Sequence, residues 1–428
     1  MTVSTSVDPA GLEAVTVVVE ETPDLLAFAG CDGWLFADEH GGIAGRGEAL
    51  RISLPRGLSD LADVEAAAGT LRSIATVDEL GRPGCGPVAL GALAFDPAEP
   101  GYLVVPAVVV GCDGDVSWVT TVGPVASACS PHGGSAPVKP RADVLDFPPR
   151  PAGSSPERFT LTPTLSHADW QGIIAGALDE IACGTFDKVV LARRIDIEAD
   201  RDFVVTEVLE RLAALYPSCT LFKMEDFIGA SPELLVRRHG AEVDSHPLAG
   251  TVARSGDGRD DERLVASMMG SPKTRREHRV VVDAIADVLR PLCEALDVPD
   301  TPSVMSMRNV SHLASHIRGR LAPGAPSALG LVARIHPTPA VGGYPTEAAL
   351  RYLQKVEGFD RGRYAGPVGW FDSRGDGCFA LGIRSALIQG RHASIFAGNG
   401  IVAGSEPAGE LTETQLKLQA LLSALVRP

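Results

Sequence analysis

The amino-acid sequence predicts an α+β fold built on antiparallel sheets, and the order of its elements is the main reason. β-rich runs at 15–19 and 103–110 lie in the first third, where Gly and Pro break the chain into short segments. Further on, a helix over 166–182 is followed by a strand over 186–197, and another helix begins at Pro272. Because strands and helices come in blocks without strict alternation, we favour this class over a doubly wound parallel sheet.

The two predicted helices have clear sequence features. Ser271 is a suitable N-cap for the second helix, and Pro272 suits its first position because the missing N–H would be unpaired there anyway. Apolar residues recur at helical spacing in the first helix at Trp170, Ile173, Ile174, Ala177, Leu178 and Ile181. The second helix has a similar face at Val281, Ala284, Ile285, Val288 and Leu292.

Length and charge limit the classes of function. The chain has 428 residues, of which 45% are apolar, so it can bury a substantial core. Its net charge of -16 disfavours a general nucleic-acid binder, because such proteins are usually basic. Residues 135–158 are rich in Pro, Ser, Gly and Arg, which predicts a surface connection between a β-rich part, residues 1 to about 135, and a more regular part that follows.

The sequence also predicts a cytoplasmic protein without metal-binding cysteines. Its eight cysteines lie far apart and form no C-x-x-C pair, which is typical of reduced thiols and not of zinc knuckles or thioredoxin chemistry. Residues 1–8 lack the features of a secretory signal. No apolar run reaches about 18 residues, so we expect no membrane span.

Two short patterns resemble cofactor sites but lack essential parts. His312 and His316 have the spacing of zinc ligands on a helix, yet the Glu that follows the first His in metalloproteases is missing. Glycines from Gly398 to Gly404 suggest a dinucleotide loop, but the third glycine comes one residue late and the chain ends too soon afterwards. A glycine strip that brings backbone N–H groups close to a small ligand is the better interpretation.

Several charged residues lie at positions where a core is expected. Lys188 shares a strand face with Val190 and Ala192, so it either reaches water along its stem or is buried as a base with a lowered pKa. Glu233 lies between two apolar runs and could be a loop residue, whereas Glu277 shares the inward stripe of its helix.

A third helical face near the C-terminus is polar. Glu410, Glu413 and Lys417 share it, with leucines on the opposite side. Taken alone, this segment is best interpreted as a solvated helix face.

Six segments considered together give a more specific result. They occur in one fixed order over roughly residues 160 to 428, and they resemble the chorismate-utilising enzymes: isochorismate, salicylate, anthranilate and aminodeoxychorismate synthases. The segments are FDKVVLARR from Phe186, IGASPELLVRR from Ile228, HPLAGTVAR from His246, IHPTPAVGGYP from Ile335, RGRYAGPVGW from Arg361 and FAGNGIVAGSEPAGELTET from Phe396.

This resemblance implies a fold of antiparallel β-sheets packed face to face with flanking helices, and an active site in the cleft. It makes 156–428 the chorismate-binding catalytic region and 1–155 a variable N-terminal part of the same fold. It also implies Mg²⁺ as cofactor, held by Glu277, Glu410 and Glu413, whose hard oxygens suit this ion. Thr274 departs from the family, which usually has an acidic residue there, and outer groups of this kind tune metal affinity.

By the same resemblance, Arg384 grips the side-chain carboxylate of the substrate, a task that suits a guanidinium fork. The remaining residues expected to contact the substrate are Gly398, Gly400, His336, Ala340, Tyr364 and Lys417.

Within the family, the chain most resembles isochorismate synthases, which are isomerases. Lys188 matches the base that takes a proton from water, and Glu233 matches the acid that protonates the departing C4 hydroxyl. Ammonia-using members commonly have Gln at position 188, so we expect no glutaminase partner. Ala340 stands where the salicylate branch typically has Thr.

Alternatives remain open at this stage. One is a salicylate synthase, which also eliminates pyruvate, and a more remote one is a chorismate-binding protein without catalysis, suggested only by Thr274. The product could feed siderophore or menaquinone biosynthesis. The resemblance implies chorismate as the small-molecule partner, with a monomer as the expected state and neither nucleic acid nor membrane as a partner.

Overall fold

The computed structural model describes residues 8–125 and 155–426. Within 8–125, a 3-10 turn at Pro9–Gly11 precedes strands and two helices, α1 (Leu25–Ala29) and α2 (Leu61–Ser73). The strands of this range are β1 (Leu12–Val19), β2 (Trp34–Asp38), β3 (Gly41–Leu54), β4 (Ala75–Asp78), β5 (Val88–Ala92), β6 (Gly101–Asp113) and β7 (Val116–Pro124).

The range 155–426 contains longer helices and many short strands, with a second 3-10 turn at Arg290–Leu292. Its helices are α3 (His167–Ala182), α4 (Val205–Leu215), α5 (Gly258–Gly270), α6 (Pro272–Leu289), α7 (Ala328–Ile335), α8 (Thr346–Val356) and α9 (Pro407–Val426). Its strands are β8 (Phe159–Pro163), β9 (Lys188–Ala199), β10 (Thr220–Met224), β11 (Phe227–Ser231), β12 (Leu234–His239), β13 (Glu242–His246), β14 (Leu248–Ala253), β15 (Cys293–Asp297), β16 (Ser303–Ser306), β17 (Val310–Ala314), β18 (Ile317–Leu321), β19 (Gly343–Tyr344), β20 (Pro367–Asp372), β21 (Gly377–Leu381), β22 (Ser385–Gln389) and β23 (His392–Val402).

The strands form two long ladders that meet at β6. The first runs β4-β1-β7-β6-β3-β2-β10-β11-β22-β23-β9-β8, antiparallel except for the β1–β4 pair. The second runs β6-β5-β20-β21-β12-β13-β18-β15 and is antiparallel throughout. A bulge between Glu48 and Leu50 interrupts the β3–β6 pairing where the ladders diverge, as bulges do when a strand bends. A separate small sheet has the order β14-β17-β16.

The two ladders pack face to face. Trp34 and Phe222 from the first ladder share one buried cluster with Val368 and Trp370 from the second. The neighbouring residue Leu221 points to the other side, because successive side chains of a strand alternate. The predicted antiparallel sheets with face-to-face packing are therefore confirmed.

Helices cover the outer faces of both ladders, as predicted. The first ladder is covered by α1, α4 and α9, and the second by α2, α6 and α7, in two further apolar clusters. Phe379 of β21 is completely buried beneath α7, so its truncation to Ala should cost about 3–5 kcal/mol.

The individual elements also agree with the sequence. Ser166 caps α3 by accepting from the N–H of Asp169, and Ser271 caps α6 with Pro272 at its first position. The strand predicted over 186–197 is β9, shifted by two residues at each end. The predicted surface connection lies outside the described residues as far as position 154. Among the helices described, none has the length and apolar character needed to cross a membrane.

Candidate active site

A cavity of about 190 Å³ lies where β9 and β23 meet α6, α9 and the small sheet. Helix ends and strand connections within residues 155–426 form its wall. Eleven of the twelve residues predicted for the site line it: Lys188, Glu233, Glu277, Ala340, Tyr364, Arg384, Gly398, Gly400, Glu410, Glu413 and Lys417.

Lys188 is buried at the start of β9, between β19 and β23. Its side chain is 2% exposed, so it does not reach water, and its Nζ lies 3.2 Å from Glu277 Oε1. A Cβ on Gly400 would come within 2.2 Å of that same Glu277 oxygen and 2.8 Å of Lys188 Cε. A side chain at position 400 would therefore force the ends of Lys188 and Glu277 to shift from these positions.

Glu233 occupies the short connection between β11 and β12 and is almost fully buried. Burial raises the pKa of its carboxyl to about 7, although the backbone N–H of Leu248 and the charges of Lys188 and Lys417 oppose this rise. A carboxyl with such a pKa can hold a proton near neutral pH, which a general acid must do.

The carboxylates of α9 are each paired with a lysine. Glu413 Oε1 lies 2.9 Å from Lys417 Nζ, one turn further along the helix. Glu410 Oε1 lies 3.2 Å from Lys273 Nζ of α6. Burial, followed by the negative charge of Glu413, raises the pKa of Glu410. The polar face of α9 therefore faces the cavity, and its interpretation as a solvated face is incorrect.

The fit of a divalent cation can be tested on these donors. Glu277, Glu410 and Glu413 supply hard oxygens to a single cavity, which suits Mg²⁺. In the parts of the chain that the structure describes, however, no three acidic, His or Cys side chains are gathered closely enough to hold a metal ion. The three carboxylates are chemically suitable ligands for Mg²⁺. A bound cation would replace the lysine ammonium groups that now pair with them.

Arg384 lies between β21 and β22 with a φ of 50°, a left-handed conformation that costs about 1–2 kcal/mol for such a residue. Its guanidinium donates to Met307 Sδ at 2.6 Å and to His312 Nε2 at 3.0 Å, and it lies 5.6 Å from the Tyr216 ring. Burial lowers its pKa. Within 8–125 and 155–426, no carboxylate pairs with this cation.

His312 belongs to the site, although the sequence suggested it only as a doubtful zinc ligand. It lies on strand β17 and not on a helix, and His316 points away to Asp244, 2.9 Å distant. Because Arg384 can only donate, His312 Nε2 must accept, so the ring proton is on Nδ1, 3.2 Å from Gly250 O. Burial holds the pKa of His312 well below its usual range, so the ring is neutral.

His336 is the one predicted site residue that the structure places elsewhere. Its Nε2 lies 2.9 Å from the carbonyl oxygen of Phe95, and its ring is edge-on to the Phe95 ring. The side chain is buried against this N-terminal residue and does not line the cavity. The structure therefore corrects the expectation that His336 contacts the substrate.

Aromatic and cationic residues complete the wall. Tyr364 stacks on Phe396 with ring centroids 4.8 Å apart, and burial raises the pKa of its phenol. Arg361, which the sequence did not indicate as a site residue, donates to Val190 O at 2.6 Å and to Glu357 Oε2 at 2.7 Å. Its charge is thus already balanced, in contrast to that of Arg384.

Thr274 lines the cavity beside Glu277, where an acidic residue was expected. Its hydroxyl donates to Ser271 Oγ at 3.0 Å, within the N-cap of α6. Its methyl faces Gly250, where an added Cβ would come within 2.2 Å of it. The side chain therefore closes the helix end against the small sheet.

Comparisons with known proteins agree with this geometry. The sequence profile of a family described as chorismate binding enzyme matches residues 34–426. The salicylate biosynthesis isochorismate synthase of Pseudomonas aeruginosa is 44% identical over 260 residues, which is 60% of this chain and 54% of that relative. Isochorismate synthase DhbC of Bacillus subtilis is 39% identical over 278 residues, 62% of this chain and 70% of the relative.

The fold matches as well. The crystal structure of DhbC from Bacillus anthracis superposes with a TM-score of 0.76 at 30% identity, covering 94% of this chain and 98% of that one. Profile, relatives and structure agree over most of the length, so this chain belongs to the family of chorismate-binding enzymes.

Proposed function

We propose that this protein is an isochorismate synthase, an isomerase that converts chorismate to isochorismate. The observation that carries the proposal is Arg384, a desolvated cation in the cavity whose described partners are neutral side chains. A buried charge without a counter-ion is costly, so the cavity favours a ligand that brings an anion. Chorismate carries two carboxylates, and Arg384 binds the one on the side chain of chorismate.

Lys188 and Glu233 line the same cavity and divide the proton transfers between them. Lys188 in its neutral form takes a proton from water as the water oxygen bonds to C2 of the ring. The ring double bonds shift, the C4–O bond breaks, and Glu233 protonates the departing hydroxyl, which leaves as water. One water is added and one is lost, so the reaction is an isomerisation, and a proton passing from Lys188 to Glu233 resets both groups.

Mg²⁺ is part of this proposal, with Glu277, Glu410 and Glu413 as the residues that would hold it. When bound, the ion supplies positive charge for the ring carboxylate of the substrate. A bound ion would displace the lysines now paired with these carboxylates. Lys188 would then no longer be paired with Glu277 and would be free to act as the base.

Ala340 favours isochorismate over salicylate as the product. The residue lines the cavity with a methyl group, which neither donates nor accepts a hydrogen bond. A salicylate synthase must also orient the enolpyruvyl ether for elimination, and position 340 offers no group for that task. The presence of both proton-transfer residues argues against a chorismate-binding protein without catalysis.

Product analysis tests the proposal. Purified protein is incubated with chorismate and Mg²⁺ near neutral pH, and early time points are separated by chromatography. We expect isochorismate with little salicylate or pyruvate, and no turnover after EDTA treatment. Salicylate with an equal amount of pyruvate would favour the salicylate synthase, and full turnover in EDTA would contradict the role of the metal.

A further inference from the structure

Asn399 connects β23 to the polar face of α9 through its side-chain amide. The residue lies between Gly398 and Gly400 and is 1% exposed. Its Nδ2 donates to the backbone oxygen of Glu410 at 2.8 Å and to Glu410 Oε2 at 3.1 Å. Its Oδ1 accepts from Lys417 Nζ at 2.9 Å. One buried amide thus contacts both a carboxylate proposed to hold the metal and a lysine of the same cavity.

The chemistry of its partners fixes the orientation of this amide. The ammonium of Lys417 can only donate, and the backbone oxygen of Glu410 can only accept. An amide turned by 180° would place NH₂ against the ammonium and oxygen against the carbonyl and the carboxylate. Asn399 is therefore oriented with its N–H groups toward Glu410.

The two oxygens of Glu410 are held in different ways. Oε2 accepts from the buried side chain of Asn399, whereas Oε1 lies 3.2 Å from the Nζ of Lys273. The side chain of Lys273 is 37% exposed, so it can leave Oε1 and remain hydrated. Asn399, in contrast, is 1% exposed and has no access to water there.

We propose that Asn399 is a positioning residue that holds Glu410 by Oε2 and so presents Oε1 to the cation. This inference rests on the proposed function, because it takes Glu410 to be one of the metal-site carboxylates. It assigns to this chain an outer group for the metal on β23, at a site where Thr274 of α6 offers no carboxylate. Loss of such an outer group typically weakens metal binding by about 10- to 100-fold.

The experiment measures cation binding directly, without turnover. The full chain is titrated with Mn²⁺, a hard cation used in place of Mg²⁺, and free Mn²⁺ is quantified by electron paramagnetic resonance. We expect Asn399→Ala and Asn399→Ser each to raise the Kd for Mn²⁺ by about tenfold or more. Gln415→Ala, which removes an exposed amide from the same helix, should leave the Kd unchanged.

Lys417→Met tests the contact that Asn399 makes through Oδ1 separately from the contacts it makes through Nδ2. It removes the partner of Oδ1 and a positive charge, so the Kd for Mn²⁺ should stay the same or fall. Weakened binding in Lys417→Met as strong as in Asn399→Ala would overturn the proposal, because the effect would then pass through the lysine.

Thermal melts without metal identify a purely structural role. If the Asn399 variants melt earlier but bind Mn²⁺ like wild type, the positioning role is wrong. Should Asn399→Ala fail to fold, Asn399→Ser gives the same comparison. Chorismate turnover by the wild-type protein is assayed in parallel, so that the role of Asn399 and the proposed function are tested separately. If wild type turns over chorismate and the Asn399 variants keep the wild-type Kd for Mn²⁺, only the role of Asn399 is refuted. Wild-type protein that neither binds Mn²⁺ nor turns over chorismate refutes the proposed function as well.

Discussion

Two groups of charged side chains in the cavity differ in how their charges are balanced. In the lysine–glutamate group, every carboxylate has an ammonium within 3.2 Å. The cation of the arginine–histidine group, by contrast, has only neutral partners among the residues that the structure describes. The first group consists of Lys188, Glu277, Lys273, Glu410, Lys417 and Glu413, and the second of Arg384 and His312. The paired group can rest without a ligand and must exchange partners when a cation binds. The unpaired group already has the charge that an anionic substrate needs.

The largest effect should come from the proton-transfer residues. Lys188→Ala and Glu233→Gln should each lower kcat by about 10²- to 10⁴-fold, because each removes one partner of a proton transfer. Steady-state kinetics with chorismate and Mg²⁺ measures the loss. Circular dichroism and thermal melts check that the variants fold, and wild-type kcat in either folded variant would show that its role is misassigned.

A smaller effect on activity is expected when a residue of the arginine–histidine group is replaced. His312→Ala removes the acceptor of a hydrogen bond from a charged donor, worth about 1.5–3 kcal/mol, so the KM for chorismate should rise about tenfold or more. The change in kcat should be smaller, because His312 acts through Arg384. His312→Gln, which can still offer an oxygen to Arg384, should restore part of the affinity.

His316→Gln is the matched control for this prediction. His316 comes shortly after the same strand but bonds to Asp244, away from the cavity. Its variant should keep the wild-type KM. Equal increases in the His312 and His316 variants would indicate a general disturbance of the small sheet.

The two groups also differ in how far the sequence revealed them. Glu410, Glu413 and Lys417 were found because helical spacing places them on one face, and the resemblance then gave that face its role. His312 was predicted only as a doubtful zinc ligand on a helix, and Asn399 was not predicted as a site residue. Local patterns indicate which face of an element a residue occupies, but not which distant strand or helix it meets. Asn399 lies on β23, which pairs with β9, and no local pattern specifies this long-range pairing or the contact of Asn399 with α9. The fold class followed from local patterns, whereas the β6 junction between the ladders did not.

The pH dependence of protonation should distinguish Glu233 from the carboxylates of the lysine–glutamate group. Burial raises its pKa to about 7, so the protonated fraction falls from about half at pH 7 to about one tenth at pH 8. The fraction of the protein that can protonate the departing hydroxyl falls by the same factor. Infrared difference spectra should show a carboxylic acid band that disappears as the pH rises through about 7 and is absent in Glu233→Gln. A band lost near pH 4 would mean that burial does not raise this pKa.

The smallest effect is expected at Thr274. Thr274→Asp places a carboxylate beside Glu277 at the first turn of α6, where negative charge is also favoured by the helix dipole. Activity should therefore need less Mg²⁺, by a few-fold, since outer carboxylates orient metal ligands. A Mg²⁺ titration of turnover that shows an unchanged or greater requirement would count against an outer role for this position.

The most direct test of the account is the origin of the new hydroxyl oxygen. Chorismate and Mg²⁺ are incubated with the protein in H₂¹⁸O, and early products are examined by liquid chromatography with mass spectrometry. Attack by water deprotonated at Lys188 predicts isochorismate with one ¹⁸O, located at C2. Unlabelled isochorismate would mean that the hydroxyl migrates within the substrate, and it would contradict the roles given to Lys188 and Glu233.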